Sequence, residues 1–149
     1  MAIMELGEIC IDTNVLIAFL KGRDPAATAL EWIVRNTQVF VTAITAYELL
    51  FGVARANRRI GEDQLLEVMA ILPFDAPSAA RAATLHDALI RSNQDIGVKD
   101  VMIAAICQQH DLPLLTLNER HFNRVEGLTI LTPEQILQLL DSRSSLQSD

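Results

Sequence analysis

Short apolar runs rich in β-branched residues alternate with longer segments of helical periodicity along most of the chain. The runs predict strands at 8–12, 39–43, 112–117 and 128–131, and a further short strand is possible at 72–75. The periodic segments predict helices at 13–20, 24–34, 45–56, 61–72, 77–93, 98–110 and 119–124, with a last helix that begins at Thr132-Pro133. This alternation predicts an α/β fold in which a mostly parallel sheet of four to five strands carries helices on both faces.

The length of 149 residues suits one domain with a sizeable core. We expect that domain to span residues 1–141, and we expect the Ser-rich tail at 142–149 to be flexible. No internal repeat, linker or low-complexity tract interrupts the pattern.

The two cysteines do not form a disulfide framework. Cys10 lies in an apolar run and Cys107 in a helical pattern, so both are expected to be reduced core residues. No basic segment followed by an apolar run and a small-residue cleavage site stands out, and no apolar run is long enough to cross a bilayer, so we expect neither a secretory leader nor a membrane span. A cytoplasmic protein without membrane contact is therefore predicted.

The net charge of −7 argues against a nucleic-acid partner, because phosphate binding usually depends on a basic surface. The distribution of the basic residues weakens this objection. Eight of the twelve lie in or just after the segments that carry the candidate site: Lys21, Arg23, Arg55, Arg58, Arg59, Lys99, Arg120 and Arg124. Bound divalent cations would also reverse the sign of an acidic pocket.

Three carboxylates occupy positions that meet in a parallel α/β fold. Asp12 ends the first predicted strand, Glu48 lies in the first turn of the helix after the second strand, and Asp100 begins a helix with an apolar stripe. Ligands of such sheets collect beyond the carboxyl ends of the strands, where the strand order reverses. Three acids at that point would repel one another and raise at least one pKa unless cations neutralise them.

Each acid also has a purely structural interpretation. Asp12 could cap the helix that starts at Thr13, and Thr45-Ala-Tyr-Glu48 matches a capping box. Asp100 would be favoured at the positive end of its helix. A shared position at one sheet edge, beside apolar stripes, favours a functional role over three separate caps.

Four ordered segments resemble the motifs of PIN domains, and most closely those of VapC-type toxins of bacterial toxin and antitoxin pairs. They are Ile11-Asp-Thr-Asn-Val-Leu-Ile17, Thr45-Ala-Tyr-Glu-Leu-Leu-Phe-Gly52, Gly97-Val-Lys-Asp-Val-Met-Ile-Ala-Ala105 and Leu115-Thr-Leu-Asn-Glu-Arg-His-Phe-Asn-Arg-Val-Glu-Gly127. The resemblance extends from Ile9 to about Leu131. It implies an α/β/α sandwich and endonucleolytic cleavage of RNA that depends on Mg²⁺ or Mn²⁺.

The resemblance also assigns roles to residues. It implies that Asp12, Glu48 and Asp100 hold the metal and that Asn118 joins them in catalysis. Hydroxyl contacts to phosphate or another ligand are implied for Thr13 and Thr116, and Asn14 is a further candidate. His121, the histidine nearest the site in sequence, is a candidate phosphate contact with a purely structural role as the alternative.

One position departs from the family pattern, because Asn118, followed by His121, stands where many relatives carry a fourth acid. Without the negative charge of a fourth acid, tight binding of a second metal ion is not expected from the sequence. The histidines lack the spacing of a zinc site, and His86 and His110 are predicted to lie on the surface.

Partners follow from the resemblance alone. It implies a homodimer, a small antitoxin protein that covers the acidic cleft, and binding to promoter DNA only through the antitoxin complex.

Two other functions fit parts of the sequence. A non-catalytic binding module could use the same fold, with the acids binding Mg²⁺ or capping helices. A phosphohydrolase of the haloacid-dehalogenase type also begins with an Asp after its first strand, but it needs a second Asp where this chain has Asn14.

Overall fold

Five parallel strands form one sheet in the computed structural model, which describes residues 6–147. The strands are β1 (Glu8–Ile11), β2 (Gln38–Thr42), β3 (Ala70–Leu72), β4 (Leu114–Leu115) and β5 (Ile130–Leu131). Their order across the sheet is β3-β2-β1-β4-β5. Strands β2 and β3 therefore lie on one side of β1, and β4 and β5 lie on the other side. The prediction of an α/β fold with a mostly parallel sheet of four to five strands is confirmed.

Helices connect the strands and cover the sheet. They are α1 (Thr13–Leu20), α2 (Ala26–Asn36), α3 (Ala43–Ala56), α4 (Glu62–Glu67), α5 (Ala76–Arg91), α6 (Val98–Gln109), α7 (Glu119–Phe122) and α8 (Pro133–Gln147). Helices α1 and α2 pack against each other, α2 also contacts α8, and α5 packs along α6.

The strand period of two divides the core into two layers. Ile9 and Ile11 of β1 are fully buried in a layer that also contains Leu16, Leu30 and residues of α8. Cys10, between them, points into the opposite layer, which is built largely from α5 and α6. Because successive side chains of a strand face opposite sides, one short apolar run serves both layers.

The predicted helix over 61–72 is wrong in its second half. Helix α4 ends at Glu67, and Ala70–Leu72 instead forms the edge strand β3, in which Ala70 pairs with Phe40 and Leu72 with Thr42. The apolar residues of this stretch suit either periodicity. The strand forms because residues 70–72 can make backbone hydrogen bonds with the neighbouring strand β2. The short strand that the sequence suggested at 72–75 therefore lies at Ala70–Leu72.

Other element ends differ by a few residues. Strands β4 and β5 pair only over Leu114–Leu115 and Ile130–Leu131, so they are shorter than predicted. Helix α8 extends to Gln147, beyond the predicted domain end at residue 141. Residues 148 and 149 of the predicted flexible tail lie outside the described residues.

Both cysteines are free and buried, as expected. Within residues 6–147, no helix combines the length and the apolar character that a bilayer crossing requires.

Candidate active site

The candidate site lies where the order of the strands reverses. β1 and β4 are neighbours in the sheet, and the chain leaves β1 at Asp12 and β4 at Thr116. The backbone N–H of Asp12 donates to the carbonyl of Leu115 across 2.9 Å. Such a reversal leaves a crevice beyond the strand ends, because the connections leave the two strands in opposite directions.

Asp12 is buried at this edge, and both of its carboxylate oxygens accept hydrogen bonds. Oδ1 accepts from the backbone N–H of Thr13 at 2.8 Å, and Oδ2 accepts from the hydroxyl of Thr116 at 2.7 Å. The pKa of Asp12 is raised from 3.8 to about 6, chiefly by burial and to a smaller extent by the charges of Asp100 and Glu48, while the two hydrogen bonds lower it. The capping interpretation of Asp12 is confirmed for one oxygen, while the other faces the end of β4.

Glu48 is not part of a capping box. The N-cap of α3 is Thr42, whose hydroxyl accepts from the backbone N–H of Thr45, so Thr45 lies within the helix and Glu48 lies in its second turn. The Glu48 side chain extends across to α1, where its Oε1 accepts from the hydroxyl of Thr13 at 2.9 Å. Its Oε2 lies 3.9 Å from Nζ of Lys99. The sequence placed Glu48 in the first turn because it assigned the start of α3 two residues too late.

Asp100 lies in the first turn of α6 and is partly buried. Its Oδ2 lies 3.1 Å from Nδ1 of His121, and the same nitrogen lies 2.9 Å from the side-chain amide nitrogen of Asn118. His121 therefore contacts both Asp100 and Asn118, and its Nδ1 either donates to the carboxylate or accepts from the amide, not both at once. Of the other histidines, His110 is exposed, and His86 is partly buried and bonded to Asp95.

The loop after β4 is tied to the start of α1. Thr116 donates to Asp12 and its hydroxyl oxygen accepts from the backbone N–H of Asn118 at 2.9 Å. The side-chain oxygen of Asn14 accepts from the backbone N–H of Leu117 at 3.2 Å. The Thr116 hydroxyl therefore links the backbone of Asn118 to the carboxylate of Asp12, although the two residues are far apart in sequence.

Asp100 and Glu48 both lie within electrostatic reach of Asp12, because the charges of both raise its pKa. Within residues 6–147, however, no three acidic, histidine or cysteine side chains are close enough together to enclose a metal ion. Each carboxylate is held by protein donors instead. The donor atoms nevertheless suit a hard divalent cation, since they are carboxylate oxygens with hydroxyl and amide oxygens beside them. A cation would also offset the cost of the buried charge of Asp12.

Several of the basic residues predicted near the site lie there. Lys99 is next to Glu48, and a groove of about 400 Å³ that begins at Glu48 is lined by Lys21 and Arg58. Arg23 lines a second hollow, together with Asn14 and Leu117. Arg59 and Arg124 are engaged elsewhere, with Asp63 and with the backbone carbonyl of Asp95. Arg55 and Arg120 are exposed.

The sequence did not identify two further residues of the site. Thr45 was interpreted as a cap, but its buried hydroxyl lies 3.0 Å from that of Thr13. Its spacing of three residues from Glu48, which places both on one helix face, was the available signal. Lys99 was counted among the basic residues, yet its pairing with Glu48 joins two helices and has no local signature.

Comparison with known proteins identifies the family. The family model described as PIN domain matches residues 9–128. Ribonuclease VapC1 of Rickettsia felis is 33% identical over 131 residues, which cover 83% of this chain and 95% of that protein.

Solved structures share the fold. The structure of VapBC2 from Rickettsia felis bound to a DNA fragment from its promoter matches with a TM-score of 0.74 at 24% identity, over 84% of this chain and 98% of that chain. The structure of FitAcB from Neisseria gonorrhoeae matches with a TM-score of 0.69 at 28% identity, over 85% and 98% of the two chains. With the family model covering most of the chain, we conclude that the protein belongs to the PIN domain family and is of the VapC type.

Proposed function

We propose that the protein is an endoribonuclease that hydrolyses RNA phosphodiester bonds with Mg²⁺ or Mn²⁺, and that it is the toxin of a toxin and antitoxin pair. One observation carries the proposal. Asp12, buried at the strand reversal, has a pKa of about 6 that is raised in part by Asp100 and Glu48. Perturbed carboxylates in a crevice are typical of functional sites. The ribonuclease relative supports the same chemistry.

Asp12, Glu48 and Asp100, which do not enclose an ion by themselves, would hold the metal together with water molecules and phosphate oxygens of the substrate. A bound divalent cation lowers the pKa of a water molecule and stabilises negative charge on phosphate oxygens. Hydrolysis joins the water oxygen to phosphorus and breaks one phosphorus–oxygen ester bond, so no protein nucleophile is required. The task of the protein is to position carboxylates, water and phosphate.

The neighbouring side chains have positioning roles in this proposal. Thr116 and Thr13 hold Asp12 and Glu48 through their hydroxyl groups. His121 with a proton on Nδ1 donates to Asp100 and orients it, and the exposed side of His121 and Asn118 can contact phosphate. Lys99, with more than half of its side chain exposed, can turn from Glu48 to a phosphate of the RNA backbone.

The decisive experiment compares carboxylate and amide at the site. Asp100→Asn and Glu48→Gln are expected to abolish cleavage of total bacterial RNA while changing the melting temperature little. Glu119→Gln, which alters an exposed acid beside Asn118, is the matched control and is expected to cleave normally. EDTA is expected to stop the unsubstituted protein, and sequencing of the RNA ends would define the cut.

The same experiment separates the alternatives. RNA binding without cleavage in the presence of Mg²⁺ and Mn²⁺ would favour the non-catalytic binding module. Full activity of both amide variants would refute the proposed site. The haloacid-dehalogenase alternative does not agree with the family assignment, and Asn14 uses its side-chain oxygen to hold Leu117.

We also propose a small antitoxin as partner, with binding to promoter DNA through that complex. The related structures are such complexes by their descriptions, and one contains promoter DNA. In this chain the groove beside Glu48 has an apolar floor, including Leu20, Leu49 and Val53, and cations at Lys21 and Arg58. A peptide segment with apolar side chains would bury that floor and cover the carboxylate of Glu48.

A homodimer is proposed on a different surface. Tyr47, Leu50 and Phe51 of α3 are about half exposed, and the rings of Tyr47 and Phe51 stack with centroids 5.7 Å apart. Exposed apolar groups in one patch are typical of a protein interface. Sedimentation of the chain, alone and with Leu50→Glu, would test it: the substitution is expected to give a monomer, and an unchanged mass would refute this surface.

A further inference from the structure

Three buried threonine hydroxyl groups form a continuous row that ends on Glu48. Thr42 and Thr45 are fully buried, and Thr13 is nearly so. Oγ1 of Thr42 lies 3.4 Å from Oγ1 of Thr45, which lies 3.0 Å from Oγ1 of Thr13. Oγ1 of Thr13 in turn lies 2.9 Å from Oε1 of Glu48. The row joins the end of β2, helix α3 and helix α1.

The chemistry of the last contact orders the protons in the row. A carboxylate oxygen only accepts, so the single hydroxyl proton of Thr13 is donated to Glu48. The contact between Thr13 and Thr45 is then a hydrogen bond only if the Thr45 hydroxyl donates to Thr13. Thr42 completes the order, since its hydroxyl donates to Thr45 and accepts from the Thr45 backbone N–H at 3.1 Å. Each hydroxyl in the row therefore donates its proton to the next group in the direction of Glu48.

This order gives Thr45 an effect on a carboxylate that it does not touch. A hydroxyl that donates while it also accepts is polarised, and the bonds of such a chain strengthen one another. Thr13 alone could turn its hydroxyl elsewhere, whereas the proton from Thr45 favours the orientation toward Glu48. The other carboxylate oxygen of Glu48 lies near Lys99, which attracts the side chain toward α6. An ordered Thr13 hydroxyl on α1 therefore helps to determine the position of the Glu48 carboxylate.

We propose that Thr45 is a positioning residue of the active site, which acts through the Thr13 hydroxyl to hold the Glu48 carboxylate in place. A buried hydroxyl without this role would affect stability but not the behaviour of Thr13 and Glu48. The consequence for metal binding rests on the proposed function, whereas the ordering of Thr13 does not.

The test compares Thr45→Val, which keeps the shape and removes the hydroxyl, with Thr45→Ser, which keeps the hydroxyl. The first readout is the exchange of the Thr13 hydroxyl proton, followed in EDTA by the isotope splitting of its Cβ signal in mixed H₂O and D₂O. The unsubstituted protein and Thr45→Ser are expected to show two Thr13 signals because exchange is slow. Thr45→Val is expected to show one averaged signal.

The second readout is the affinity for Mn²⁺, measured by electron paramagnetic resonance without RNA. Removing a group that orients a metal ligand typically weakens binding about 10-fold or more, and this loss is expected for Thr45→Val but not for Thr45→Ser. Thr45→Cys, with a weak donor of similar size, replaces the valine variant if that does not fold.

Each result decides the matter. Two Thr13 signals in Thr45→Val, or one averaged signal in the unsubstituted protein, would overturn the proposal. Equal Mn²⁺ affinity of the valine and serine variants would overturn its consequence for the metal. If the unsubstituted protein binds no Mn²⁺, the proposed function fails, and the Thr13 signals still decide whether Thr45 orders the Thr13 hydroxyl that donates to Glu48.

Discussion

The carboxyl group of Asp12 is expected to make the protein less stable as the pH rises from about 4 to 7, and Asp12→Asn should remove that dependence. The pKa of Asp12 is raised from 3.8 to about 6, chiefly by burial. Between these two values the folded protein holds a proton that the unfolded chain has released. Protons therefore favour the folded state in this window, and its stability falls as the pH rises through it.

The size of the effect follows from the same two values. At about 1.4 kcal/mol for each pH unit between them, the change amounts to about 3 kcal/mol by pH 7. This is a large part of the roughly 5–15 kcal/mol that stabilises a typical domain. Asparagine keeps one acceptor for the N–H of Thr13, while its amide nitrogen only donates, so the hydrogen bond with Thr116 has to reverse or is lost. That change is nearly independent of pH and does not alter the slope.

The assay is urea unfolding at constant ionic strength in EDTA, at half-unit steps from pH 4 to 7.5. The measured quantity is the difference in unfolding free energy between the unsubstituted protein and Asp12→Asn. It should shift by about 2.5 kcal/mol in favour of the variant across the series, because the unfolded carboxyl is already about half ionised at pH 4 and carboxylates common to both proteins cancel. Asp141→Asn, which changes an exposed carboxylate on α8, is the control and should give a flat difference.

The reasoning is refuted if the difference for Asp12→Asn stays constant within about 0.5 kcal/mol, well below the expected change. A difference that moves in the opposite direction would mean that the hydrogen bonds from Thr116 and Thr13 outweigh burial. Addition of Mn²⁺ at pH 7.5 gives a further check, since an ion that binds only the folded state should stabilise the unsubstituted protein and not Asp12→Asn.

Three further predictions test other contacts. Thr116→Val removes a hydrogen bond that lowers the pKa of Asp12, so the loss of stability with pH should extend to higher pH in the same urea series; an unchanged window would contradict this. Lys99→Met should reduce the salt dependence of RNA binding, measured by fluorescence anisotropy in EDTA, by about 0.7 in the log–log slope, with Lys99→Arg as control; an unaltered slope would exclude a phosphate contact. Thr42→Ala should cost about 1 kcal/mol in urea unfolding, as expected for an N-cap; no cost would place the start of α3 elsewhere.

The fold could be predicted where periodicity is unambiguous. The runs that became β1 and β2 and the pattern of α6 were assigned correctly in kind because their apolar residues follow one period. The edge strand β3 was missed because residues 65–72 are apolar at spacings that fit a helix as well as a strand. Its pairing with β2 is a contact between distant segments, and no local pattern records it.

The site divides in the same way. Asp12, Glu48 and Asp100 stood out because their positions relative to strand and helix ends place them at one edge of a parallel sheet. Which donor each carboxylate uses did not follow from the sequence, since Thr116, Thr13 and His121 reach them across long stretches of chain.

The sequence by itself determined the alternation of strands and helices, the acidic character of one sheet edge and the family, because these depend on residue type and spacing along the chain. Tertiary structure alone decided the burial of Asp12 and its raised pKa, the row of hydroxyl groups through Thr45 and the contact of Lys99 with Glu48. The physical reason is distance. Desolvation and hydrogen bonding act over a few ångströms in space, and folding brings together groups that the sequence separates by tens of residues.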